Sequence, residues 1–388
     1  MADRLKYLNY MNTSKNILLL SPYHGGSHQA WAEGYQQYSQ HRVELLTMPD
    51  RFWKWRMHGG AVTLARRFLT SKKQYDLILA TDMLDLTTFL ALTRPYTATT
   101  PTVLYMHENQ LTYPLPIDGS TGPMRRQLGE RDRHYAFINY ASLLAADAVC
   151  FNSNFHLDSY FDELPRYLKH LPEFKELKSV AGLRAKSGVL PVGVDFKRLN
   201  KTDDQSSYRD ESPLIIWNQR WEYDKNPEAF FAALYAVADE GIPFRLALCG
   251  QQYGKRPSIF DVALTRLQEQ IIHVGYADAA TYRQLLWEAA VTISTAQHEF
   301  FGISILEAIY AQTFPLLPNR LSYPELIPNE WLSDCLYYSQ DDLVTRLRTV
   351  LVQPGKTRKR AKGLATAVSK YDWSQIALRY DDFFTKLI

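Results

Sequence analysis

Residues 291–308 read VTISTAQHEFFGISILEA. The apolar start, Val291–Ser294, predicts a buried strand, His298 and Glu299 fall in the loop behind it, and a helix begins near Gly302. Strand, polar loop and helix are the unit of a parallel sheet, where ligands sit at the C-terminal ends of the strands. Glu299 is then a loop carboxylate and Glu307 a helix carboxylate about two turns further on, one at the helix mouth and one reaching back from its body. Acids eight apart are common, so a capping Glu299 and a surface Glu307 explain the spacing equally well.

The same unit recurs on either side. Ile17–Leu20, Leu77–Ala80, Val103–Met106 and Ala148–Phe151 read as one series of strands. Leu214–Trp217, Arg245–Leu248 and Ile272–Val274 join Val291–Ser294 in a second. Between the series lies the polar stretch 196–212, FKRLNKTDDQSSYRDES, which reads as an interdomain connection. The 388 residues suffice for two domains, each α/β, facing a cleft.

Composition narrows the function. With 46% apolar residues the chain is not disordered, and no apolar run approaches the ~18 residues of a membrane helix. Residues 1–16 carry charge without an apolar centre, so no secretory signal is expected. Cys150, Cys249 and Cys335 are scattered, which fits a reducing, cytoplasmic setting. C-x-x-C, H-E-x-x-H and Asp-x-Asp pairs are absent, so no metal is expected, and neither G-x-G-x-x-G nor G-x-S-x-G occurs. The net charge of +3 does not by itself call for a nucleic acid.

The loops at strand ends hold the candidates. Behind the first strand lies Ser21-Pro22-Tyr23-His24-Gly25-Gly26-Ser27-His28, where paired glycines let backbone approach a ligand and a helix start favours an anion. A plain tight turn with incidental histidines is an equal alternative. Val103–Met106 runs into His107-Glu108-Asn109-Gln110, four polar residues that are hard to explain as packing: a functional loop would make His107 a donor to a substrate hydroxyl and Glu108 an acceptor or base, and a solvated loop with a capping Asn is the alternative. Leu214–Trp217 runs into a loop with Arg220 and Lys225, then Asn226 as N-cap, Pro227 at the first helical position and Gly241 as the stop. That loop places two cations at a helix N-terminus, where a diphosphate binds.

Basic residues cluster as well. Arg51, Lys54, Arg56, Arg66, Arg67, Lys72 and Lys73 follow one another with no acid among them, and Phe52, Trp53 and Trp55 interleave with the first three. Cations among aromatics suit a nucleic acid with unstacked bases. Arg125, Arg126, Arg131 and Arg133 form a second patch, diluted by Glu130 and Asp132, and Lys356–Lys362 reads as a solvated face.

Together, Glu299-x7-Glu307, the Arg220/Lys225 pair and Leu190-Pro191-Val192-Gly193-Val194-Asp195 resemble a retaining, nucleotide-sugar-dependent glycosyltransferase of the GT-B class. YHGGSH, FWKWR, MHENQLTYP, ERDRHY, FNSNF, NQRWEYDKNPEAFF and STAQHEFFGISILEA, in that order, resemble the tRNA-queuosine α-mannosyltransferase family. The resemblance implies two Rossmann-like domains: 1–200 for the tRNA acceptor, 210–370 for the nucleotide sugar, and a last helix within 371–388 packing back on the first. It implies GDP-mannose as donor, queuosine in the anticodon wobble position of tRNA as acceptor, no cofactor or metal, and no membrane partner. Arg220 and Lys225 would neutralise the leaving diphosphate and Glu307 bind the donor ribose. Glu299 with the backbone of Phe301, Gly302 and Ile303 would hold the sugar, and Gly25 and Gly26, counted with the donor residues, would approach the donor or the acceptor. His107 would stand near the reacting carbon. On the acceptor side the matching segments hold His28, Arg51, Trp53, Lys54, Trp55, Arg56, Glu108, Asn109, Arg131 and Arg133. Donor motifs do not identify acceptors, so a lipid or glycan acceptor, another sugar nucleotide, or an inactive tRNA-binding protein stand as alternatives.

Overall fold

Every strand pairing in the chain's computed structural model is parallel among the described residues, which are 14–71, 73–113, 123–201, 212–250 and 257–388, the side chains of 123–132 excepted. The first sheet uses β1 (Asn16–His24), β2 (Arg42–Pro49), β3 (Leu77–Thr81), β4 (Thr102–Met106), β5 (Ala148–Phe151) and β6 (Ser187–Val189), in the order β2-β1-β3-β4-β5-β6. The second uses β7 (Leu214–Asn218), β8 (Arg245–Cys249), β9 (Ile271–Gly275), β10 (Val291–Ile293), β11 (Phe314–Pro318) and β12 (Leu336–Tyr337), in the order β12-β11-β10-β7-β8-β9. The direction of winding reverses between β1 and β3 in the first sheet and between β7 and β10 in the second. In open α/β sheets such switch points are where ligands bind, outside the C-terminal ends of the strands.

Strands β3, β4, β5, β7, β10 and β11 are buried along their whole length, as expected when helices cover both faces of a parallel sheet. The apolar-run reading overlooked β2, β6, β11 and β12. The edge strand β2 mixes Arg42, Glu44 and Thr47 with its apolar residues. Strand β11, FPLLP, carries two prolines, which argue against a strand, yet all five residues are buried and Pro315 lies opposite Thr292 of β10. The other two are three and two residues long.

The chain divides into two units, 1–193 with Trp373–Ile388, and Val194–Asp372. In the first unit the helix Trp373–Thr385 lies on the helix Gly26–Tyr38. Trp31 Nε1 donates to the Tyr380 hydroxyl at 3.0 Å and the Tyr35 hydroxyl to Asp381 at 2.9 Å. Gly34 and Gly193 make room for Trp373, since a Cβ on either would come within 2.1–2.2 Å of its indole. The stretch 196–212 does not begin as a loose connector. Phe196 stacks on Tyr310 with ring centroids 4.3 Å apart, and Trp287 Nε1 donates to the Leu199 carbonyl at 2.6 Å, so 196–201 belongs to the second unit. Residues 202–211 lie outside the described residues.

Candidate functional site

In the second unit the loops behind β7 and β10 are stitched together. The Thr295 hydroxyl donates to the carbonyls of Lys225 and Asn226, both at 2.9 Å, and Gln297 N–H to the Asp224 carbonyl at 2.8 Å. Lys225, 7% exposed, sets its ammonium 2.8 Å from the His298 carbonyl, 3.2 Å from Asp224 and 3.3 Å from Glu299. Arg220 is 41% exposed and pairs with Glu222 at 2.9 Å and Asp224 at 3.7 Å. Burial opposes the charge on Glu299, but Lys225 and the Phe301 N–H outweigh it and hold the carboxyl below its usual range. Burial, then Lys225, pushes His298 down to about 4, so its imidazole is neutral at pH 7. Both cations of this loop reach Asp224, and each is already matched by carboxylates.

The helix Ile303–Tyr310 starts from Gly302, whose φ of +101° favours glycine, and no side chain caps it. Its first amides are therefore left for another acceptor. Glu307 is the fifth residue of this helix, one turn in rather than two, and it is buried instead of surface-facing. Arg198 forms an ion pair with one of its oxygens and the Tyr282 hydroxyl donates to the other at 2.8 Å. Asn218 Nδ2 donates to the Ser304 carbonyl at 2.7 Å and to the Tyr282 hydroxyl at 3.2 Å. Phe301 packs in the core, its ring edge-on to Tyr371. Asn226 is not the side-chain cap its type suggested. It takes φ +50° and makes no such hydrogen bond, while Pro227 does open the helix Pro227–Asp239 and Gly241 (φ +73°) follows its end.

The first unit gathers its polar residues at the ends of β1, β3 and β4. His107 N–H donates to Asp82 at 2.9 Å and its carbonyl accepts from Asn152 Nδ2 at 2.9 Å. Its ring packs against Trp31, Tyr105 and His28, with centroids 4.6, 4.8 and 4.3 Å away. Burial, then His28, drives His107 well below the ordinary histidine range; burial, then His24, drives His28 to about 4. Both imidazoles are neutral, and each keeps one buried ring nitrogen without a partner. Asp82 is driven well above the usual carboxylate range by burial, then by Glu108. Asn109 is a turn former: its Oδ1 accepts the N–H groups of Leu111 and Thr112 at 3.0 and 2.9 Å. Glu108 accepts from Gln110 Nε2 at 3.1 Å.

The two glycines behind β1 do different things. Gly25, in ordinary extended conformation, lacks a Cβ because Asp50 fills the place, 2.1 Å from where that atom would stand, so the space is not open to a ligand. Gly26 has φ +53° and open space around its missing Cβ. In the basic stretch Trp53 is half-buried, packing on Tyr135 at 5.2 Å against a buried cluster that includes Met57 and Met83, so it is not a free ring. Lys54 lies 5.4 Å over Trp53, Arg56 Nε donates to the Pro49 carbonyl at 3.1 Å, and Lys73 pairs with Glu44 at 2.7 Å. Arg51 and Arg133 are exposed; Lys72 and the side chains of Arg125, Arg126 and Arg131 lie outside the described residues. Asp82, Asn152, Arg198, Tyr282 and Asp224 were not singled out from the sequence. Each works through a partner distant in the chain or by being buried, and neither leaves a local pattern.

Two doubly wound sheets with charged loops at the second switch point define a class, the GT-B glycosyltransferases. Sucrose-phosphate synthase from Thermosynechococcus elongatus has this fold, with a TM-score of 0.69 at 15% identity over 96% of this chain and 99% of that one. Anabaena HepE in complex with UDP superposes with a TM-score of 0.67, also at 15% identity, over 96% and 100%. Residues 16–194 match the family described as tRNA-queuosine alpha-mannosyltransferase N-terminal, and residues 200–366 match glycosyl transferases group 1. A tRNA-queuosine alpha-mannosyltransferase of Drosophila melanogaster is 29% identical over 385 residues, 96% of this chain and 97% of that one. The chain is a glycosyltransferase, similar over nearly its whole length to a tRNA-queuosine alpha-mannosyltransferase.

Proposed function

We propose that the chain transfers mannose from GDP-mannose to queuosine at the wobble position of tRNA, in the cytoplasm, with retention at the anomeric carbon. One arrangement carries this reading: Arg220, Lys225, Glu299 and an uncapped helix start stand in the joined loops behind β7 and β10, at the switch point of the second sheet. Charge builds on the departing diphosphate, and Arg220, Lys225 and the amides of Gly302 and Ile303 are fixed there to receive it, a route that calls on no metal. Glu299 and the backbone at Phe301 hold the sugar. Glu307, oriented by Arg198 and Tyr282, accepts the ribose hydroxyls.

In the first unit the neutral His107 imidazole hydrogen-bonds a sugar hydroxyl beside the reacting carbon. His28, Glu108 and Gly26 line the same end of the sheet, and Arg51, Lys54, Arg56 and Arg133 meet tRNA phosphates. Retention follows from attack on the face the diphosphate leaves, a phosphate oxygen taking the acceptor's proton; trapping a glycosyl–enzyme adduct would refute that route. Mass spectrometry of tRNA nucleosides, after incubation with GDP-mannose and with other sugar nucleotides, tests the whole reading. Mannosyl-queuosine formed from GDP-mannose alone is the expected product. GDP release with a lipid-linked or glycan acceptor, and none with queuosine tRNA, would overturn it.

A further inference from the structure

The helix Trp53–Ser71 starts in a manner its own stability does not require. Phe52, whose carbonyl accepts the Trp55 and Arg56 N–H groups at 2.8 and 3.0 Å, sits at φ +53°. Glycine or asparagine holds that conformation at lower cost than a bulky ring, and strain of this kind marks functional positions. The Phe52 ring is 78% exposed and that of Trp55, one turn on, 63%. Trp55 lies across Gly59, where a Cβ would come 2.6 Å from the indole; the glycine lets the ring lie flat on the helix at a cost in helix propensity. Lys54 and Arg56 stand in the first turn, the end of a helix that disfavours cations, and no acid follows before Lys73. The nearest acid, Asp50, is packed over Gly25.

We propose that Phe52 and Trp55 form a ledge on which unpaired RNA bases stack, while Arg51, Lys54 and Arg56 take the flanking phosphates. This rests on the tRNA reading above and divides the segment by role: two rings for bases, three cations for backbone, and Trp53 for packing. Base stacking on aromatic faces tolerates any base, and it requires bases freed from pairing. Exposed rings among cations also suit an anionic membrane. Against that, the helix has its apolar stripe, Met57, Ala61, Leu64 and Phe68, already buried in the first unit, and two rings fall short of the apolar face an interfacial helix needs.

Binding of an RNA anticodon stem-loop and of a blunt RNA duplex of equal length, measured across a salt series, tests the ledge. Trp55→Ala and Phe52→Ala are each expected to weaken stem-loop binding about 5- to 100-fold without changing its salt slope, and Trp55→Phe to restore most of it. Lys54→Ala or Arg56→Ala is expected instead to lower the slope by about one. Thermal melting confirms that each variant is folded. Equal affinity for stem-loop and duplex, wild-type affinity in Trp55→Ala, or Trp55-dependent binding to phosphatidylserine vesicles in place of RNA would overturn the proposal. The two readings fail separately. A wild-type protein that mannosylates tRNA while Trp55→Ala binds it normally loses only the ledge. One that binds the stem-loop through Trp55 but forms no mannosyl-queuosine loses only the proposed function.

Discussion

Lys225 keeps its ammonium among Asp224, Glu299 and the His298 carbonyl, whereas Arg220 reaches from the same loop toward solvent. Removing the first leaves Glu299 without its ion pair and the buried Asp224 with Arg220 3.7 Å away; removing the second leaves Asp224 with Lys225 and costs Glu222 an ion pair made by a side chain 41% exposed. Lys225→Met is therefore expected to destabilise the protein by about 3–5 kcal/mol in a denaturant melt. Arg220→Ala is expected to change stability by less than about 1 kcal/mol and yet lower the GDP-mannose-dependent transfer rate about 10²- to 10³-fold. Equal effects on stability would show that the two cations are not divided in this way. Both residues were legible in the sequence as a pair at a strand end. Their different burial was not, because it is made by Glu299 and His298, more than seventy positions along the chain.

At the scale of elements, the loops behind β1 and β4 were recognised from their histidines and from four consecutive polar residues, His107 to Gln110. Their packing was not recognisable, since the His107 backbone is held by Asp82 and Asn152 from two other strand ends. Burial has a consequence for pH. The unfolded chain protonates His28 near 6.5 and the folded chain only near 4, so between these values the unfolded state binds more protons and stability rises with pH. The contribution is about 3 kcal/mol, from about 1.4 kcal/mol per pKa unit. Denaturation midpoints of wild type and His28→Gln at pH about 4 and about 7 should show a smaller pH effect in the variant. His298 retains a contribution of the same sign in the second unit. An unchanged pH effect would mean that His28 is not held neutral in the folded protein.

For the molecule as a whole, the last helix is a structural member of the first unit. Trp373 fills the space left by Gly34 and Gly193, and Tyr380 and Asp381 bond to Trp31 and Tyr35. Ending the chain after Asp372 is expected to abolish cooperative unfolding of the first unit, and Trp373→Ala to cost about 3–5 kcal/mol in a thermal or denaturant melt. A truncated chain that still unfolded cooperatively would remove the helix from that core. Eight of the twelve strands among the described residues, with the polar loops behind them, were legible in the sequence alone, because burial on both sheet faces writes apolar runs and strand ends write polar ones; β2, β6, β11 and β12 were not. The family motifs were legible for the same local reason. Strand order, and with it the two switch points, was decided only by the tertiary structure, as were the enclosure of Lys225 and the Arg198–Glu307 pair. These depend on partners such as Trp31 and Tyr380, 349 positions apart, and Arg198 and Glu307, 109 apart. Contacts at such separations arise only when the chain closes on itself, and no local pattern of residue types encodes which distant partner will be met.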